Sequence, residues 1–205
     1  MRNIIGVYGL ICSGKSSFSK MLAKELDAFY IDADKLGHEA LENKKDIIVK
    51  EFSDSILDSN NNIDRKKLGG IVFSNKNKLK KLQDITYSYI EKKIEDLINS
   101  TDKDVVIEAA LIMRSNIYKL CNSLVFVNAK TSSILKRMQE TRNISEHHAR
   151  KILKMQRDVK NKKLDADIIV NNMRDYNHLV IISRKLGWHY GNESKRKHGR
   201  KRLFY

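Results

Sequence analysis

The segment from Gly9 to Ser16 constrains the fold of this chain more strongly than any other part of the sequence. It reads Gly-Leu-Ile-Cys-Ser-Gly-Lys-Ser and fits the pattern G-x-x-x-x-G-K-S, which forms a phosphate-binding loop between a strand and a helix. An apolar run over 3–8 precedes it, and apolar residues at helical spacing over 18–26 follow it. These are the patterns of a buried strand and an amphipathic helix. The sequence therefore predicts a strand, a phosphate-binding loop and a helix in that order.

Each part of this loop has a role in binding a nucleotide phosphate. The two glycines allow backbone conformations that a Cβ would obstruct, and successive N–H groups then form a concave anion site. Lys15 brings positive charge to the β- and γ-phosphates, and the Ser16 hydroxyl is placed to ligate Mg²⁺. We expect the nucleotide to bind to the following loop residues: Gly9, Cys12, Ser13, Gly14, Lys15, Ser16 and Ser17.

Length and composition favour one globular domain with room for an inserted lid. The chain has 205 residues, of which 41% are hydrophobic, and this is enough to build a core. No run approaches the roughly 18 uncharged apolar residues that a membrane span needs, and the sequence begins with a strand pattern rather than a signal peptide. Its two cysteines, Cys12 and Cys121, are too few for a disulfide framework. We therefore expect a cytoplasmic protein with reduced thiols and no membrane partner.

The strongest charge bias lies near the C-terminal end of the sequence. The formal net charge is +15 at pH 7, and the segment 194–202 has basic side chains at 195, 196, 197, 200, 201 and 202 and no acidic one. Such a block is typical of a solvated tail, here expected over 191–205. The alternative is electrostatic contact with nucleic acid or another polyanion.

Strand and helix patterns alternate along the rest of the chain. Segments with the apolar, β-branched composition of buried strands lie at 28–31, 105–107, 123–127 and 168–170. Helical patterns cover about 76–99, 131–140, 145–155 and 176–186. This alternation implies a parallel sheet with helices on both faces. The predicted fold class is therefore α/β, with a five-stranded parallel sheet in a three-layer fold of the P-loop nucleoside-triphosphate-hydrolase and nucleotide-kinase type.

Acidic residues follow two of the predicted strands, where ligands of open parallel sheets bind. Asp32 and Asp34 come after the second strand, and Glu108 comes after the third. A carboxylate at this edge can accept the proton of a reacting hydroxyl or hold the water shell of Mg²⁺. Two alternatives stay open: one of the aspartates caps the following helix, and Glu108 is a strand-end acid that faces solvent.

The predicted helix after the fourth strand carries arginines suited to phosphate. The planar guanidinium fork matches phosphate oxygens, and a helix that closes over the phosphates would exclude water from the reaction. We expect Arg137 to act in catalysis and Arg142 to bind the nucleotide. The alternative for each of them is a position on a solvated helix face.

Several segments beyond the loop follow one family pattern over about residues 1–188. They are Ile31 to Asp34, Ile63 to Leu68 with Ile71 to Ser74, Leu82 to Thr86, Leu135 to Arg137, Gln156, Lys162, and Ala166 to Asn172. On these motifs the chain resembles the dephospho-CoA kinases, the enzymes of the last step of coenzyme A synthesis. The resemblance implies a P-loop kinase fold with a helical acceptor lobe and a lid.

The chain departs from the family pattern at a few positions. Tyr87 and Ser88 stand where the family usually has His-Pro, and Arg114 replaces the glutamate of its Pro-Leu-Leu-x-Glu element. Within the phosphate-binding loop, Leu10 and Cys12 replace glycines. The changes at 87, 88 and 114 fall in the expected acceptor region, so they bear on acceptor recognition more than on ATP binding.

The resemblance also implies a reaction and roles for the candidate residues. The γ-phosphoryl group of the co-substrate ATP passes to the ribose 3′-hydroxyl of dephospho-CoA, and Mg²⁺ is the cofactor. Asp34 would orient or deprotonate the hydroxyl, and Lys15 and Arg137 would neutralise charge on the transferred group. The expected magnesium ligands, direct or through water, are Ser16, Asp32 and Glu108.

The expected organisation is one kinase domain over 1–190, with an acceptor-binding helical region at about 60–100, a lid at about 130–165, and the basic tail. We expect a monomer or a weak homo-oligomer and no nucleic-acid partner. One alternative is another nucleoside or nucleotide kinase of the same fold with a different acceptor. A second is a nucleic-acid-binding P-loop NTPase that uses the basic tail.

Overall fold

The computed structural model describes residues 2–110, 112–173, 176–193 and 203–205, which form two units. The first unit comprises the described parts of Met1–Asp32 and Ile98–Tyr205, and the second is Ala33–Leu97. The basic run at 194–202, which belongs to the predicted tail, lies outside the described residues. In the part of the chain that the structure describes, every helix lacks the length or the apolar character needed to cross a bilayer.

The described residues of the first unit contain a parallel sheet of six strands. In chain order the strands are β1 (Ile4–Tyr8), β2 (Phe29–Asp32), β3 (Val105–Glu108), β4 (Ser123–Asn128), β5 (Ile168–Asn171) and β6 (Leu203–Phe204). Across the sheet the order is β2-β3-β1-β4-β5-β6, and every neighbouring pair is parallel. The α/β class and the five predicted strands are confirmed. The edge strand β6 is additional, because two residues are too few to show a strand period.

The helices vary in length from 4 to 24 residues. Those of the described residues are α1 (Lys15–Glu25), α2 (Ala33–Asn43), α3 (Lys45–Phe52), α4 (Arg65–Phe73), α5 (Lys76–Asn99), α6 (Ile117–Leu120), α7 (Thr131–Arg142), α8 (Glu146–Met155), α9 (Arg157–Asn161) and α10 (Tyr176–Glu193). Short 3₁₀ turns lie at Asp54–Ile56, Ile112–Arg114 and Lys162–Asp165. The helix α10 extends to Glu193, past residue 190, where the sequence predicted the end of the kinase domain.

One face of the sheet packs against α1 and α10. The buried side chains of this core cluster come from four strands and both helices, and they are Ile5, Val7, Val106, Val125, Val127, Ile168, Val170, Phe18, Leu22, Ala23, Leu179, Ile182, Leu186 and Tyr190. Burial of this apolar area is the main force that fixes α1, and with it the phosphate-binding loop, on the sheet.

The opposite face of β1 is covered by the segment that follows β3. A Cβ on Gly6 would lie 2.7 Å from Ile112 Cδ1 and 2.8 Å from Cys121 Sγ. Tyr8 and Phe126 pack edge to face on neighbouring strands, with ring centroids 5.1 Å apart. Helical segments thus lie on both faces of the sheet, as alternating strands and helices predict.

The second unit is helical and has its own apolar core. Its buried side chains come from α3, α4 and the turn between them, and they are Ile48, Phe52, Ile56, Leu68 and Val72. Asp64 precedes α4 and accepts hydrogen bonds from the N–H groups of Lys66 and Lys67. These backbone hydrogen bonds lower the pKa of Asp64, because they favour its charged form. Asp64, in the motif from Ile63 to Leu68, is therefore a helix cap.

Candidate active site

The phosphate-binding loop lies between β1 and α1, and close packing explains its two glycines. Gly14 has a φ of +96°, and a Cβ there would lie 2.3 Å from Asn172 Nδ2. A Cβ on Gly9 would lie 2.5 Å from the carbonyl oxygen of Val127. Any other residue at either position would push the loop away from β4 or β5, so the sequence pattern is required by contacts as well as by backbone conformation.

Three side chains from distant parts of the chain hold the loop backbone. Arg137 Nη1 donates to the Cys12 carbonyl at 3.1 Å, and Asn172 Nδ2 donates to the Ser13 carbonyl at 2.7 Å. The Ile11 N–H donates to Gln156 Oε1 at 2.9 Å. Because the C=O and N–H of a trans peptide point in opposite directions, fixing these carbonyls also fixes where the following N–H groups point.

A buried polar centre lies beside the start of α1. Glu108 is only 2% exposed, and its Oε1 accepts a hydrogen bond from the Ser16 hydroxyl and lies 3.3 Å from Lys15 Nζ. Its Oε2 accepts a hydrogen bond from the Tyr30 hydroxyl. The solvated strand-end position considered for Glu108 is thus wrong for this fold. The carboxylate compensates the Lys15 charge in a place where an unpaired charge would be costly.

The two aspartates after β2 take different positions. Asp32 is the last residue of β2 and pairs in register with Glu108 of β3, so their backbones are adjacent in the sheet. Asp34 is exposed and lies in the first turn of α2, in the second unit. An acidic side chain in a first turn interacts favourably with the helix dipole, so Asp34 stabilises the start of α2.

A cavity of about 420 Å³ opens beside the loop. Most of the predicted nucleotide-binding residues line it, together with side chains of α7 and α10; the lining consists of Cys12, Gly14, Lys15, Ser16, Ser17, Arg137, Thr141, Arg142, Asn172, Tyr176 and Leu179. Gly9 and Ser13 are not part of the lining, because Gly9 packs against β4 and the Ser13 side chain is buried. The cavity combines cationic groups with apolar surface, as a nucleotide site requires.

Three site residues carry no motif signal of their own. Asn172 and Gln156 occur within the family resemblance, but sequence gives no reason to place them against the phosphate-binding loop. Tyr30 lies in a strand pattern, and its contact with Glu108 spans 78 residues of sequence. Strand register and helix packing bring such positions together.

Arg114, where the family has glutamate, has an ionic partner. Its Nε and Nη2 donate to the two carboxylate oxygens of Asp158, and Nη2 also donates to the Met155 carbonyl at 3.0 Å. The hydrogen bonds from this guanidinium lower the pKa of Asp158. Arg114 therefore joins the turn after β3 to the junction of α8 and α9. Tyr87 and Ser88 both lie in α5.

A phosphate-binding loop after the central strand of a parallel sheet, beside a cavity bordered by helix-borne arginines, defines the class of P-loop kinases. Sequence comparison refines this class. The sequence model of the dephospho-CoA kinase family matches residues 3–177. The chain therefore belongs to the dephospho-CoA kinase family, whose members are ATP-dependent transferases of coenzyme A biosynthesis.

Individual proteins agree with this assignment. The chain is 38% identical to a dephospho-CoA kinase of Borreliella burgdorferi over 185 residues, which are 89% of this chain and 90% of the relative. The solved dephospho-CoA kinase of Campylobacter jejuni has 28% identity and a TM-score of 0.60, covering 92% of this chain and 97% of its own. A solved Thermus thermophilus protein, at 20% identity and a TM-score of 0.80, shares the fold over 93% of this chain and 97% of its own.

Proposed function

We propose that this protein phosphorylates the ribose 3′-hydroxyl of dephospho-CoA with ATP and Mg²⁺, producing CoA and ADP. The bond from the γ-phosphorus of ATP to its bridging oxygen breaks, a bond to the 3′-oxygen forms, and the hydroxyl proton passes to a base. The observation that carries the proposal is the contact of the buried Lys15 and Glu108 side chains with each other and of Glu108 with the exposed Ser16, at the edge of the cavity. The acceptor follows from family membership.

The cavity suits ATP in its size and in its charges. Lys15, at the start of α1, and the N-terminal dipole of that helix favour the β- and γ-phosphates. Arg137 contacts the loop carbonyls and lines the same cavity. Its guanidinium has five N–H donors, so its two hydrogen bonds to the loop leave donors for a phosphoryl oxygen. We assign Arg142, Tyr176 and Leu179 to the nucleoside part of ATP.

The residues around Glu108 fit a magnesium ion. The Ser16 hydroxyl and the Glu108 carboxylate are hard oxygen donors and are already in contact, and Asp32 lies at the adjacent register position. Among the described residues no group of three His, Cys, Asp or Glu side chains gathers around one point. That agrees with Mg²⁺, which keeps several waters and completes its shell with substrate phosphates. Bound there, the ion would neutralise phosphate charge.

Asp34 is the residue that we propose as the base for the 3′-hydroxyl. The support is the segment from Asp32 to Asp34, which begins at the last residue of β2 and ends in the first turn of α2.

We further propose that residues of about 60–100 bind the acceptor and that residues of about 130–165 act as a lid. For the whole protein we propose a cytoplasmic monomer or weak homo-oligomer.

The test supplies ATP, Mg²⁺ and dephospho-CoA and measures ADP and CoA. Replacement of Asp34 by Asn keeps the shape of the side chain and removes the base, so kcat should fall roughly 10²–10⁴-fold. Asp46 is also exposed in the first turn of a helix, α3, and the Asp46→Asn variant should retain activity. Full activity in Asp34→Asn would exclude the base. Phosphorylation of other nucleosides in preference to dephospho-CoA would reject the proposed acceptor.

A further inference from the structure

Tyr30 reaches the candidate magnesium site from a strand outside the phosphate-binding loop. Its hydroxyl donates a hydrogen bond to Glu108 Oε2. The other carboxylate oxygen, Oε1, is in contact with the Ser16 hydroxyl and the Lys15 ammonium group. The two oxygens of Glu108 therefore have different partners, and the residue that holds Oε2 is Tyr30.

The register of β2 and β3 explains how the phenol comes to this position. Tyr30 is paired with Val106, and Asp32 is paired with Glu108. Side chains two residues apart on a strand share a face, so Tyr30, Asp32 and Glu108 project from the same face of the sheet. The Tyr30 ring packs against the core cluster that contains Val106. Core packing thus fixes the ring, and the ring places the hydroxyl.

The hydrogen bond from Tyr30 constrains the orientation of the carboxylate. The last torsion of a glutamate side chain is broad, so burial alone does not fix the plane of the carboxylate. A donor on Oε2 fixes that plane, because turning it would break the hydrogen bond to a charged acceptor. Without the phenol, Glu108 would keep its burial and lose the contact that directs Oε1 towards Ser16 and Lys15.

We propose that Tyr30 is a positioning residue for the magnesium site, acting by holding Oε2 of Glu108. This inference rests on the assignment of Glu108 to that site under the proposed function. The inference adds to the magnesium site a side chain that no sequence motif assigns to it. The general precedent is that hydrogen-bond partners of metal-binding carboxylates tune metal affinity.

Calorimetric titration of ADP separates metal binding from folding and from catalysis. The Tyr30→Phe variant keeps the packed ring and loses the hydroxyl. Binding of ADP in the presence of Mg²⁺ should weaken about tenfold, within the roughly 10–100-fold range expected for such partners. Binding of ADP in EDTA should change less than about twofold, because the phosphate-binding loop is intact.

Two further variants make the result specific. Tyr190 belongs to the same core cluster, and its hydroxyl lies 2.7 Å from Ser123 Oγ; the Tyr190→Phe variant should bind ADP normally in both conditions. In a Glu108→Gln background, Tyr30→Phe should cause no further loss of magnesium-dependent binding. Equal weakening with and without Mg²⁺, or no weakening at all, would overturn the inference. If the wild-type protein binds MgADP but does not phosphorylate dephospho-CoA, the proposed function is rejected and the inference about Tyr30 is not.

Discussion

The two cysteines lie in different chemical environments, and this has a measurable consequence at the scale of single residues. Cys121 belongs to the segment after β3 that packs on β1, and burial raises the pKa of its thiol to about 12. Cys12 is half-buried and lines the cavity beside Lys15. Because the thiolate is the reactive form, iodoacetamide at pH 8 should modify Cys12 and leave Cys121 intact in the folded protein.

Mass spectrometry after timed labelling gives the measurement. ATP with Mg²⁺ should slow the labelling of Cys12, because phosphates would occupy the same cavity. The Cys12→Ser variant should incorporate almost no label until the protein is unfolded. Rapid modification of Cys121 in the native protein would contradict the burial that the structure assigns to it.

Single residues also show how far sequence alone can reach into the site. Lys15 and Ser16 are predictable because one short motif encodes both their identity and their local backbone. Tyr30, Gln156 and Asn172 are not, since their partners lie 78, 145 and 159 residues away in sequence. Such contacts depend on strand register and on how helices pack, and neither is written in a local pattern.

At the scale of elements, the ion pair between Arg114 and Asp158 joins the turn after β3 to α9. Hydrogen bonds from the guanidinium lower the pKa of Asp158 below its ordinary value of 3.8. The pair therefore stabilises the folded state above that ordinary value, and its contribution is lost as the pH falls through the lowered pKa. The Asp158 side chain is 50% exposed, so solvent screening limits the contribution to about 1 kcal/mol.

Chemical unfolding of the Asp158→Asn variant tests this pair. At pH 7 its free energy of unfolding should be about 0.5–1 kcal/mol lower than that of the wild type, and the difference should shrink below pH 4. The Asp96→Asn variant is the control, because Asp96 pairs with Lys92 at 3.8 Å on an exposed face of α5. An equal loss in both variants, or a loss that persists at low pH, would exclude a specific ionic link.

Most elements could be predicted from periodicity, whereas their ends depended on other signals. The longest helix, α5, has the predicted bounds, because its apolar stripe runs along its whole length. The helix α7 continues to Arg142 and ends at Asn143, which has a φ of +51°. Asparagine tolerates this left-handed conformation at a helix end, so that signal was present in the sequence.

At the scale of the whole molecule, the C-terminal end contributes to the sheet as well as to the charge. The Tyr205 N–H donates to the Ile169 carbonyl at 2.9 Å, and the Asn171 N–H donates to the Tyr205 carbonyl at 2.7 Å. Tyr205 also packs against the core cluster. The sequence interpretation, based on charge, assigned all of 191–205 to a solvated tail. A two-residue edge strand is too short to show a strand pattern beside a run of lysine and arginine.

Removal of residues 203–205 separates these two contributions. It deletes β6 and keeps the basic run, so the protein should lose about 1–2 kcal/mol of hydrogen bonding and packing. For a chain of this size the thermal midpoint should fall by about 2–8 °C. The matched variant replaces the basic side chains at 195–197 and 200–202 by Gln and should unfold at the wild-type temperature. An unchanged midpoint after the deletion would show that β6 lies outside the cooperative fold. A lower midpoint in the Gln variant alone would assign the stabilisation to charge.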